Sequence, residues 1–240
     1  MSVMPDHVMV FAAGLGTRMR PVTNILPKPM IPIAGRPMLD HMLDRFAAAG
    51  VANAIVNVHY LGEQIIDHLR ARTQPKITIS DERAKLLDQG GGIKKVLPQL
   101  GDAAFFICNT DALWVEAHAD NLKRLAAAWN PETMDILMLV ADRATSIGVD
   151  WPGDFTLGAD GRLTKRAEGT TAPLVYTGVA ILKPELFTGE TDEVFRLAPT
   201  FWATAAKGRL HGLPLEGLWL HVGTPEAIGE AEEAFSRSAG

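Results

Sequence analysis

Cysteine is nearly absent: Cys108 is the only one in 240 residues. A lone cysteine excludes an internal disulfide framework and any cysteine-built metal cluster, and it suits a reducing, cytoplasmic setting. Long apolar runs are missing too. Nothing approaches the roughly 18 consecutive apolar residues that a membrane span needs, so no membrane partner is expected. The short apolar run 8–13 empties into a charged loop, unlike a secretory signal. Positive charge is scarce as well, with 23 Lys and Arg against 28 Asp and Glu and a formal net charge of -5. Non-specific binding of DNA or RNA rests mainly on neutralising phosphates with a basic surface, so a general nucleic-acid binder is excluded. Any anionic ligand must therefore meet a local cluster of cations. What is plentiful is apolar side chain, 47% of the chain. That is enough for a single domain over residues 1–240 with a sizeable core.

The run from Val8 to Ala13 reads as a buried parallel strand, and it opens into Gly14-Leu15-Gly16-Thr17-Arg18. Two glycines allow a sharp bend and bring backbone N–H groups close to an anion. Arg18 adds a planar fork suited to phosphate oxygens, and Lys28 adds a mobile point charge ten residues on. A dinucleotide fingerprint would need a third glycine where Met19 stands, and no Gly-Lys-Ser/Thr Walker sequence occurs anywhere. A plain surface turn is the competing reading of the loop.

Prolines 21, 27, 29, 32 and 37 keep the following stretch out of regular helix. Beyond them, strand and helix patterns alternate: a helix from Met38 to Ala49, a strand at 54–58, a helix around Ile65 and Leu69, and a strand at 76–80. This is the pattern of a mostly parallel sheet covered on both faces. Asp88-Gln89-Gly90-Gly91-Gly92 reads as a glycine-rich loop where the chain approaches something closely, or as a hinge. Phe105 to Asp111 is the strongest strand and delivers Asp111 to its C-terminal end, the edge at which open α/β sheets bind ligands. A carboxylate facing phosphates there calls for a hard divalent cation between them, which makes Asp111 the best metal ligand on offer. Its competing role is a helix N-cap. Further helices are expected at 122–129, 197–206 and 226–235, further strands at 135–141 and 176–182, and a β-rich insertion between Ser146 and Val175.

Ala12-Ala13-Gly14-Leu15-Gly16-Thr17-Arg18-Met19-Arg20-Pro21, followed by Leu26-Pro27-Lys28-Pro29, resembles the signature of the sugar-1-phosphate nucleotidylyltransferases. Asn109-Thr110-Asp111 is similar to that family's Asn-Gly-Asp metal motif, with threonine in the middle. Trp219-Leu220-His221-Val222-Gly223-Thr224-Pro225 resembles its closing Trp-x-Asp-x-Gly-Thr-Pro element, with His221 in the place of a second metal-binding aspartate. The resemblance implies a Rossmann-like three-layer α/β/α nucleotidyltransferase fold, with the insertion over the crevice. It also implies a nucleotide-binding half, approximately 1–115, and a sugar-phosphate half, approximately 116–240.

By the same resemblance an NTP would be held by Ala13, Gly14, Gly16, Thr17, Arg18 and Lys28. Asp88, Gln89, Gly90 and Gly91 would meet its base and ribose, and Asn109, Glu168 and Gly178 the sugar. Lys165 or Arg166 would contact the sugar phosphate, and Mg²⁺ would sit on Asp111, with or without His221. Arg18, Lys28 and Asp111 would be catalytic. The Leu86-Leu87-x-x-Gly90 stretch and the short chain most resemble the branch that joins UTP to N-acetylmuramate 1-phosphate in cell-wall recycling, the mannose-1-phosphate guanylyltransferases being next. A regulatory relative that binds a nucleotide sugar without making one is the reading from a different class, favoured by His221.

Overall fold

The computed structural model describes residues 4–238. Strand β1 (His7–Phe11) turns Val8 and Val10 to one face and Met9 to the other, all fully buried, as alternation along a strand demands. It ends two residues earlier than the apolar run, because the Ala12 N–H donates to the Asn57 side chain at 2.8 Å instead of continuing a ladder. The proline-rich stretch folds as three single 3₁₀ turns at 17–19, 22–24 and 28–30, then a miniature ladder of β2 (Pro32–Ile33) and β3 (Arg36–Pro37). Next come α1 (Met38–Ala49), β4 (Asn53–Val58), α2 (Gly62–Leu69), β5 (Lys76–Asp81), α3 (Asp88–Leu100), β6 (Phe105–Asn109) and β7 (Ala112–Glu116). The remainder is α4 (Asn121–Ala128), β8 (Ile136–Asp142), β9 (Phe155–Leu157), β10 (Leu163–Lys165), β11 (Leu174–Leu182), α5 (Ala198–Ala206), β12 (Leu210–Pro214), β13 (Gly217–His221) and α6 (Pro225–Ser238). No helix among the described residues is long and apolar enough to cross a membrane.

The sheet runs β10-β9-β11-β6-β1-β4-β5, with β8 beside β11 and β12 beside β8. Strands β6, β1, β4 and β5 are parallel, and β11 enters antiparallel between β6 and β8. One apolar cluster, built on Val8, Val10, Phe46, Phe106 and Leu125, fills the face covered by α1, α2, α4 and α6. A second, built on Met9, Ile93, Phe105, Ile107 and Phe201, fills the face covered by α3 and α5. Two buried layers flanking one mixed, mostly parallel sheet make the expected three-layer α/β/α arrangement. The parallel strands all point their C-terminal ends at the same edge, and β1 and β6 are neighbours there.

Two features depart from the sequence reading, and one competing reading falls away. Gly90, Gly91 and Gly92 lie near the start of α3 and not in a loop. Each glycine in a helix costs roughly 1 kcal/mol against alanine, so tertiary packing must require them. It does: a Cβ on Gly90 would fall 2.3 Å from the Phe195 ring, and one on Gly91 2.2 Å from the Glu193 carbonyl oxygen. The Phe195 carbonyl also accepts from the N–H groups of Gly90 (3.0 Å) and Gly91 (3.3 Å) at that helix start. Asp111 caps no helix, because the chain turns at once into β7. Strands β7, β12 and β13 were not expected, and the first and last of them pair antiparallel, setting His221 opposite Ala112. The β-rich insertion is present as the β9–β10 hairpin, which extends the main sheet at its edge.

Candidate active site

Two cavities, each of about 310 Å³, open at the C-terminal edge of the parallel strands and share Asn109 and Asp111. Ala12, Ala13 and Gly14, at the end of β1, form one wall of the first cavity. Leu86, Asp88 and Gln89, leading into α3, stand opposite, and Lys28 and Asn57 complete it. The second cavity has an aromatic wall of Trp151, Tyr176 and Trp219, with Arg18, Gly178 and His221 around it. Gly178 has φ +87°, and a Cβ there would lie 2.9 Å from Asn109 Cβ and 3.0 Å from Ala112 Cβ. Only glycine lets β11 pass this close to Asn109.

The turn at Gly16 brings the loop back onto the segment carrying Lys28. Gly16 adopts φ +62°, its carbonyl accepts from Thr23 Oγ1 at 2.8 Å, and its Cα faces Lys28 Cβ so closely that an added Cβ would come within 3.2 Å. Lys28 Nζ then donates to Asp111 Oδ2 at 2.6 Å, the two side chains being 13% and 22% exposed. His221 Nε2 lies 3.6 Å from the same oxygen, and its Nδ1 faces the Gly148 carbonyl at 3.3 Å. The imidazole stacks on Trp219 and meets Trp151 edge-on, which fixes the ring plane. Burial alone would raise the Asp111 pKa. The Lys28 ammonium and the nearby His221 imidazole outweigh burial and hold the carboxyl well below the usual carboxylate range. Asp111 is therefore an anion throughout the neutral range.

The structure brings Ala13, Gly14, Lys28, Asp88, Gln89, Asn109 and Asp111 to the first cavity. Arg18, Gly178 and His221 line the second, together with Asn109 and Asp111 again. Gly16 and Thr17 belong to the loop that carries Arg18 between the two. Gln89 Nε2 donates to Asn109 Oδ1 at 2.9 Å, linking a residue of the first cavity to one shared by both. Gly90 and Gly91 lie behind the first cavity, packed on Phe195 and Glu193. Glu168 is exposed on the turn after β10, outside both linings. Lys165 Nζ sits over the Trp202 ring at 4.6 Å, and the Arg166 guanidinium donates to the carbonyls of Gly153 and Thr170. Neither base faces either cavity. Asn57, Trp151 and Tyr176 line the site without having been singled out in the sequence. Asn57 carried a legible signal, a polar residue inside the apolar run Ala54–Val58.

Among the described residues no three His, Cys, Asp or Glu side chains gather into a metal-holding group. Magnesium does not require one, since it is held by one or two carboxylates with waters and substrate phosphates completing its shell. Lys28 and His221 both approach Oδ2 of Asp111, and Asp111 is the carboxylate that would hold a cation there. The donor set fits a hard divalent ion brought in with phosphates.

Residues 8–218 match the MobA-like NTP transferase domain. The chain is 47% identical to the N-acetylmuramate alpha-1-phosphate uridylyltransferase of Caulobacter vibrioides over 99% of its own length and 100% of that protein's. It is 34% identical to the enzyme of the same name from Neisseria meningitidis serogroup B, over 93% of this chain and 96% of the other. In fold it is similar to a crystal structure of UDP-glucose pyrophosphorylase complexed with UDP-glucose, at a TM-score of 0.78 and 17% identity, covering 96% of this chain and 98% of that one. The chain belongs to the MobA-like NTP transferases and, within them, to the sugar-1-phosphate nucleotidyltransferases.

Proposed function

We propose that this protein transfers UMP from UTP to N-acetylmuramate 1-phosphate, giving the UDP-sugar and pyrophosphate in the cytoplasm. The observation that carries the reading is the junction at Asp111. A cavity bearing Lys28 and an aromatic cavity bearing Arg18 and His221 meet at one carboxylate. The walls of the first cavity come from residues 11–111, and the aromatic wall of the second comes from residues beyond 150. That division supports a nucleotide half over about 1–115 and a sugar-phosphate half over about 116–240.

In this mechanism an oxygen of the sugar phosphate, already ionised at neutral pH, attacks the α-phosphorus of UTP. The bond to the β-phosphate breaks and pyrophosphate leaves with the electron pair. No protein nucleophile is needed, so catalysis is alignment and charge neutralisation. Lys28 swings from Asp111 to the α-phosphate and the incoming phosphate, which then lie within one ammonium's reach. Arg18 and the N–H groups of Gly16 and Thr17 hold the departing pyrophosphate. Asp88 and Gln89 contact the base and ribose, with the backbone of Gly90 and Gly91 shaping that wall. Asn109 and Gly178 bound the sugar, and Trp151, Tyr176 and Trp219 supply a flat apolar surface for its ring face. Glu168 reaches the sugar only if its turn folds inward. Enzymes of this class are generally dependent on a divalent metal, and Mg²⁺ on Asp111, shared with His221, would screen the two anions from each other.

The test is a panel of the four NTPs against N-acetylmuramate 1-phosphate and mannose 1-phosphate, scored by pyrophosphate release with Mg²⁺. UTP with the muramate ester is expected to be turned over fastest. Preference for GTP with mannose 1-phosphate would overturn the substrate assignment. A thermal shift with UTP and no pyrophosphate from any pair would overturn the enzyme and leave a nucleotide binder.

A further inference from the structure

Glu82, the first residue after β5, is only 1% exposed. Both of its carboxylate oxygens accept from uncharged donors: Oε1 from Asn57 Nδ2 at 2.8 Å, and Oε2 from the Leu87 N–H at 3.1 Å. A buried carboxylate is costly unless its oxygens are satisfied, so this arrangement is held by design of the surrounding chain. Asn57 is itself 3% exposed, and its Oδ1 accepts from the Ala12 N–H at 2.8 Å. The Ala12 N–H can only donate. The NH₂ of Asn57 must therefore face Glu82, and its carbonyl must face Ala12. Gly92 leaves the room for this pair, because a Cβ there would stand 3.0 Å from Glu82 Oε1 and 3.3 Å from Asn57 Nδ2.

The two ends of this relay are the two walls of the first cavity. Ala12 opens the phosphate loop, and Leu87 immediately precedes Asp88 and Gln89. We propose that Glu82 is a positioning residue: one buried carboxylate, through Asn57 and the Leu87 N–H, sets the separation of the walls between which the nucleotide lies. Glu82 itself is not part of that cavity's lining. The inference rests on the first cavity being the nucleotide site.

Glu82→Gln keeps the shape but turns one acceptor into a donor. A donor–donor contact then arises at Leu87 or, if Asn57 flips, at Ala12. The KM for UTP is expected to rise about tenfold, the KM for the sugar phosphate to stay within about twofold, and amide exchange to quicken at least about tenfold at Ala12 or Leu87. In the double variant Asn57→Asp/Glu82→Gln, the new carboxylate accepts from Ala12 and from the new amide, whose oxygen accepts from Leu87. All three bonds return, and slow exchange at both amides should return with them. A purely structural role would change both KM values alike. The inference is overturned if Glu82→Gln leaves both amides and the UTP KM at parental values, raises both KM values equally, or is not corrected by the double variant. If Glu82→Gln does not fold, the double variant decides alone: protected amides uphold the relay, and exposed ones remove it. Exchange needs no substrate, so its outcome is separable from any failure of the substrate assignment.

Discussion

Lys28 is bound at 2.6 Å to a carboxylate that, in the proposed mechanism, it gives up for a phosphate. With 13% exposure it has few alternative partners, so an anion entering the first cavity draws it across a short distance. On the proposed mechanism, Lys28→Ala removes the ammonium that would reach both reacting esters. Turnover should fall about 100-fold or more, the range seen when a group stabilising transition-state charge is deleted. The far-UV circular dichroism spectrum should not change, because the loop is held by Gly16, Thr23 and the 3₁₀ turns and not by the ion pair. Near-parental pyrophosphate release from the variant would remove Lys28 from the mechanism. Lysine and arginine are not exchangeable here. Arg18 already occupies the far cavity, and a rigid fork at residue 28 would meet Asp111 in bidentate fashion and stay there.

At the scale of elements, the right half of the sheet is tied together by Asp135, one residue before β8. It pairs with Lys183, just after β11, at 3.1 Å and with Arg209, just before β12, at 2.9 Å. Burial would raise its pKa, but the hydrogen bonds from Arg209 and Lys183 outweigh that and lower it. A carboxyl depressed in the folded state contributes stability that is full above its unfolded pKa of about 3.9 and is lost as pH falls through the folded value. Asp135→Asn should therefore cost about 1–2 kcal/mol at pH 7, with the deficit narrowing as pH falls below about 4. Urea unfolding at pH 7 and pH 3 reads both effects, and a deficit independent of pH would discard the ion-pair account.

Elements also divide by how far they were legible in the sequence. Strands β1, β4, β6 and β8 announced themselves as apolar runs buried on both faces, and α1 by its helical spacing and the stop at Gly50. Strands β7 and β13 did not, since each pairs with the other, outside the main sheet. Strand β12 is broken in pattern by Gly212 and Pro214. The glycines of α3 misled for a physical reason: they answer to Phe195, Glu193 and the Glu82–Asn57 pair, residues far away in sequence. Of the site, the phosphate loop, Lys28 and Asp111 were readable because each sits at a strand end or in a long motif. Trp151, Tyr176 and the position of Arg18 were not, because they depend on where the second half folds across the first.

For the molecule as a whole, a ligand that binds only the folded chain adds stability by mass action. UTP at about 100 times its Kd should add about 2.7 kcal/mol. For a domain of this size that is a rise in Tm of about 5–10 °C. Differential scanning fluorimetry with Mg²⁺ checks it, and no shift at saturating UTP would mean that the first cavity does not take the nucleotide. Among the described residues Asn109 and Asp111 line both cavities, and Arg18, which in the proposed mechanism holds the pyrophosphate, lines the second. On the proposed function, the aromatic wall that would meet the acceptor comes from residues beyond 150, whereas the walls that would hold the donor come from residues up to 111. A lineage can revise which sugar it activates by altering Trp151, Tyr176 and their neighbours while inheriting the triphosphate machinery untouched.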